Sequence, residues 1–108
     1  MEETQKWTSR TFKDEEAKEY TIHRDDKPDV HFVGWLMGEE EESFDNIGVC
    51  KTKAGKYVCY KKNRTLIIHP EYPLDRANID VREFFGMGRV AKRLYALVGI
   101  DCHVEEIK

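Results

Sequence analysis

Cys50, Cys59, Cys102, His31, His69 and His103 are side chains that could ligate a metal or serve as nucleophile and base. Structural zinc sites draw ligands from tight knuckles, because two donors on one turn pre-form half the tetrahedron. Cys50 and Cys59 have eight residues between them and no second knuckle exists, so no metal is expected. Nucleophilic catalysis needs a cysteine beside a histidine held by a third group. Cys102 and His103 are adjacent, and adjacent side chains on a strand face opposite ways. Cys59 could meet His69 or His31 only through the fold. A carboxylate pair could draw on Asp75, Asp80 or Glu83, but turn and cap roles account for them. Gly48, Gly55, Lys56 and Tyr57 miss the phosphate-loop pattern, with six residues between the glycines and Tyr57 where Ser or Thr is required. Gly86-Met87-Gly88 lacks the third glycine of a dinucleotide site. No catalytic residue and no cofactor is expected.

A second chemistry belongs to Lys51, Lys53, Lys56, Lys61, Lys62 and Arg64, a segment without an acidic residue. On a hairpin these cations could track a phosphate backbone, with Tyr57 and Tyr60 offering ring faces for stacking. The plainer reading is a solvated edge hairpin protected from aggregation by its lysines. Arg89, Lys92 and Arg93 form another basic group, read as the wet side of a helix.

These residues must be positioned by few elements. Trp7 to Phe12 fits a first strand, Asp14 to Lys18 a turn or one helical turn, and Tyr20 with Ile22 a second strand. Arg24 to Asp29, containing Pro28, resets the chain. From Val30 to Met37 nearly every residue is apolar, with Val30, Phe32 and Leu36 on one face and Val33, Trp35 and Met37 on the other. Such a strand needs two covers, and we take Trp35, Val33 and Met37 as a candidate interaction face. Gly34 marks a bulge or a close backbone approach. Glu39-Glu40-Glu41-Glu42 is expected in a solvated loop.

Ile47–Thr52 and Lys56–Lys61 flank Ala54-Gly55 as a β-hairpin. A two-residue turn would set Cys50 opposite Cys59; a longer loop with left-handed Gly55 would shift that register. Thr65–His69 is the next strand, ended by Pro70 and Pro73. Asp80 could cap a short helix with Glu83 three residues later. Gly86-Met87-Gly88 breaks it, and Val90, Ala91, Leu94, Tyr95, Leu97 and Val98 recur at helical steps up to a Gly99 cap. Ile100–Ile107 is read as a short strand or packed tail.

The run Phe32-Val33-Gly34-Trp35-Leu36, followed by Lys51-Thr52-Lys53-Ala54-Gly55-Lys56-Tyr57, resembles a little-characterised bacterial family with an F-x-G-x-L strand, a Y-R-T-A-K-G-R/K hairpin and a closing E-x-L-D-I. Val104-Glu105-Glu106-Ile107-Lys108 is similar to the closing motif in placement but lacks its Leu-Asp-Ile. The resemblance implies no catalytic residue. It implies companionship with transcriptional regulators.

Bulk properties narrow the classes further. The 108 residues suit one domain, read as a flexible stretch 1–6 and an α+β domain 7–108. Apolar residues at 40% and charged residues at 36% can form one core and remain soluble. No run approaches a membrane span, and the start is acidic where a signal peptide would be basic, so a cytoplasmic address is expected. Three cysteines are too few and odd for a disulfide scaffold. Residues 1–50 carry six basic and fourteen acidic groups, net −8, whereas 51–108 carry twelve and seven, net +5. That asymmetry favours a polarised surface or self-association. The expected fold is an antiparallel, bent sheet of four to five strands with a C-terminal amphipathic helix across one face. The expected function is a small interaction or accessory protein that forms a homodimer. The alternatives are nucleic-acid binding through hairpin 51–64, or a small-molecule binder or enzyme with a pocket under the curved sheet.

Overall fold

The computed structural model describes residues 7–101 and 107. The expectations for residues 1–6, and for the tail from Cys102 to Glu106 and at Lys108, lie outside them. The architecture is α+β: β1 (Lys18–Ile22), β2 (Val30–Glu42), β3 (Asp45–Thr52), β4 (Tyr57–Lys61) and β5 (Arg64–Ile68), then α1 (Leu74–Phe85) and α2 (Arg89–Val98). The strands form an antiparallel meander in the order β1-β2-β3-β4-β5. No helix among the described residues is long and apolar enough to cross a membrane.

Strand β2 belongs to two layers. Its Val30–Gly34 half pairs with β1, and its Gly34–Glu42 half pairs with β3. Gly34 is the corner, because a β-carbon there would overlap the Lys51 carbonyl. A residue without a side chain lets one strand bend sharply within the sheet. Gly34 is therefore a close approach, and the bulge lies further on, where register shifts between Leu36 and Gly38. That extra residue, Met37, turns Gly38 toward α2, where a β-carbon would sit 2.7 Å from Val98 Cγ1.

The bulge also explains a departure from the sequence expectation. Glu39–Glu42 lies inside β2, not in a loop. After the bulge, Tyr60 donates a hydrogen bond to Glu39 on one face, and Arg93 Nε bonds Glu40 Oε1 at 2.9 Å on the other. Pairing with β3 splits the four carboxylates between two faces and relieves their repulsion.

One face of the sheet carries the main core: Met37, Ile47, Val49, Tyr57, Cys59 and Ile68 pack against Val81, Phe85, Leu94, Tyr95 and Val98 of the helices. Helix α2 has the expected bounds, and Gly99 caps it in the left-handed region at φ 86°. Helix α1 starts earlier than expected, at Leu74 after Pro73, so Asp80 is an interior residue that accepts from Tyr72 Oη at 2.8 Å. Pro73 is a suitable entry because its missing N–H would be unsatisfied there anyway.

Trp7–Phe12 is not a strand. Residues Trp7–Ser9 form a 3-10 turn and the chain then runs as a strap across the helical face. Its bonds are made with side chains and so break any ladder. Trp7 Nε1 donates to Asn78 Oδ1 at 2.8 Å, Tyr57 Oη to Thr8 O at 2.9 Å, Lys51 Nζ to Arg10 O at 3.0 Å and Trp35 Nε1 to Lys13 O at 3.0 Å.

Candidate functional site

The opposite face of the sheet presents Leu36, Cys50, Val58 and Ile67 as one cross-strand row. The β1–β2 hairpin, redirected at Gly34, folds across them. Its tip meets the β4–β5 turn through Asp25 N to Asn63 O at 3.2 Å and Arg24 Nη1 to Thr65 Oγ1 at 3.3 Å. Alternation along the hairpin turns Tyr20, Ile22, Val30 and Phe32 inward and leaves Thr21, His31 and Val33 exposed. Tyr20 stacks on Phe32 at 5.4 Å between ring centroids.

Two recesses remain between hairpin and sheet. The first, about 310 Å³, is lined by Tyr20, Ile22, Leu36, Cys50, Tyr60 and Glu39, with Asn46 and Lys62 among its polar lining. Gly48 leaves the room that the Tyr60 ring needs to reach Glu39. Burial, and then the bond to Glu39, pushes the Tyr60 phenol up. Burial, aided by the Glu39 charge, pushes the Cys50 thiol up to about 12. Both groups keep their protons at neutral pH, so neither is a ready nucleophile.

The second recess, about 430 Å³, has walls of Val30, Phe32, Val58 and Ile67, and its lining includes the edge of Val33 with Thr52, Lys53 and Lys56. Lys53 and Lys56 belong to the β3–β4 connection. Thr52 N donates to Lys56 O at 2.8 Å and Gly55 N to Thr52 O at 2.9 Å, with Gly55 at φ 90°. The loop is thus Lys53-Ala54-Gly55, the longer of the two geometries open from sequence. It pairs Cys50 with Val58 and Val49 with Cys59. The two thiols consequently face opposite sides of the sheet and are free. Burial also pushes the Cys59 thiol up.

The residues singled out from sequence are dispersed. Trp35 is buried and stacks on Phe12 at 5.4 Å, and Met37 is buried in the main core; only Val33 of that trio is exposed. The second cover this strand needs is supplied by the chain's own strap and hairpin, so Trp35 and Met37 are not a free face. Lys51 reaches back to the strap, and Tyr57 is buried beside Trp7 at 4.7 Å. Lys61 Nζ donates to Phe85 O at 3.2 Å, and Arg64 lies over the Phe84 ring at 5.5 Å. Lys53 and Lys56 stand at one end of β3, Lys62 and Arg64 at the other end of the sheet, and Tyr60 under the hairpin. These eight residues do not share one surface.

His23 sits 3.0 Å from Asp29, and His31 and His69 are exposed whereas Cys50 and Cys59 are buried. Among the described residues no group of three His, Cys, Asp or Glu side chains could hold a metal. The recess walls Val58 and Ile67 were not singled out from sequence. Their signal was the inward alternation of Tyr20, Ile22, Val30 and Phe32 on both sides of a turn, followed by a glycine. No family model matches this chain, and no curated protein or solved structure matches it either.

Proposed function

We propose that this chain is a small cytoplasmic interaction or accessory protein, and that the lysine-rimmed recess is its docking site. The observation that carries this reading is the chemistry of the 430 Å³ recess: apolar walls from two layers, with Lys53 and Lys56 in its lining. Its volume falls in the range of sites that enclose a ligand group. The occupant that fits is an apolar side chain carried on an acidic segment of a protein, because the walls desolvate the one and the lysines attract the other.

The direct test uses anilinonaphthalene sulfonate, an aromatic anion with the same two features. Saturable fluorescence enhancement by the folded protein is expected, weakened at least ~10-fold by Ile67→Glu, which puts a like charge on the recess wall. Ile79→Glu, on α1, is the control and leaves binding unchanged. Equal binding by both variants, or none by the native chain diluted to a folded monomer, removes the recess as a docking site.

A further inference from the structure

The recess has a counterpart on the same molecule. Glu42 pairs with Asp45, and the turn between them consists of Ser43 at φ 48° and Phe44 at φ 70°. Both signs are positive, the type I′ geometry that favours Asn-Gly. A phenylalanine there carries the steric cost of a β-carbon in the left-handed region. Nor does it gain from burial, since Phe44 is 101% exposed. Folding therefore gives no reason for Phe44. Its chain neighbours are Glu41, Glu42 and Asp45, so it is an apolar side chain on an acidic segment.

Phe44 cannot occupy the recess of its own chain. The turn adjoins Asp45 at one end of β3, and Lys53 follows Thr52 at the other, about 23 Å away at the usual rise per residue. The geometry points to a second copy as the partner: Phe44 of one chain enters the recess walled by Phe32, Val58 and Ile67 of another, while Glu41, Glu42 and Asp45 face Lys53 and Lys56. Knob and recess at opposite ends of one strand direction let two antiparallel copies exchange the contact reciprocally. That exchange closes a two-fold dimer and leaves neither knob nor recess unfilled. This inference rests on the docking reading of the recess and specifies its partner.

Sedimentation velocity over roughly one to one hundred micromolar tests it, with the dye titration alongside. The native chain is expected to pass from monomer to dimer. Phe44→Ser should raise the dimer dissociation constant at least ~30-fold, the loss expected for a buried aromatic anchor. Phe44→Gly should do the same while raising the thermal midpoint measured at dilutions where both proteins are monomeric, because glycine relaxes the turn. Reversing Lys53 and Lys56 to Glu should weaken the dimer, and adding Glu41→Lys and Glu42→Lys to that variant should restore it. A native chain that stays monomeric while still binding dye overturns the dimer and leaves the recess standing. A dimer that survives Phe44→Ser overturns the insertion. Loss of dye binding from a folded monomer overturns both.

Discussion

Two buried side chains show how much of this fold rests on single atoms. The Tyr57 ring packs edge-on against Trp7 in the core, and its hydroxyl reaches Thr8 O at 2.9 Å. Tyr57→Phe keeps the ring and removes the bond, so about 1 kcal/mol of stability should be lost in a urea titration. Cys50 acts through its proton. Its folded-state value stands near 12 against an ordinary 9.0, so the unfolded chain gives up this proton first as pH rises. The native state then binds more protons than the unfolded state, and linkage requires stability to fall. The contribution is complete below about pH 9 and is lost as pH climbs toward 12. Under reducing conditions the urea midpoint should decline across that window, and Cys50→Ala should make the decline shallower, leaving the part that the raised Cys59 thiol and Tyr60 phenol contribute. An unchanged slope would mean that Cys50 does not drive it.

Elements differed in how far their sequence disclosed them. Helix α2 was legible at both ends because its apolar spacing, its break at Gly86-Met87-Gly88 and its Gly99 cap are all local signals. The hairpin at Ala54-Gly55 was legible in place but open in register, since Gly55 suits either loop length; the Thr52 and Lys56 bonds decide it. The glutamate run was misread for a non-local reason. Its strand depends on Tyr60 and Arg93, which are 21 and 53 residues away from the carboxylates they meet. The recess was illegible for the same kind of reason: it exists only because β2 turns a corner at Gly34. That corner is testable. Gly34→Ala would drive a methyl into the Lys51 carbonyl, and rigid backbone cannot yield cheaply. A loss of about 2–3 kcal/mol is expected. Dye binding should fall as well, since the hairpin forms one wall of the recess. A methyl tolerated at no cost would show that the corner is not sterically imposed.

At the scale of the whole molecule, three layers are held in order by a strap with no regular strand of its own. The hairpin layer covers one face of the sheet and the helices cover the other, and residues 7–13 bind parts that are distant in sequence. Trp7 contributes most, being 2% exposed and joined through Nε1 to Asn78, 71 residues away. Removing a buried tryptophan typically costs 3–5 kcal/mol. Set against a domain stability of roughly 5–15 kcal/mol, Trp7→Ala should bring the chain close to unfolding at room temperature. Trp7→Phe retains most of the packing and loses the Asn78 bond, so an intermediate urea midpoint is expected. If the three layers unfold as one unit, the denaturant slope should be the same for all three proteins. A lowered slope in Trp7→Ala would instead show that the strap can detach while the sheet and helices persist. The recess lies on the far face of the sheet from the strap, and dye binding then separates the outcomes: it would survive in a detached-strap state and vanish in cooperative unfolding.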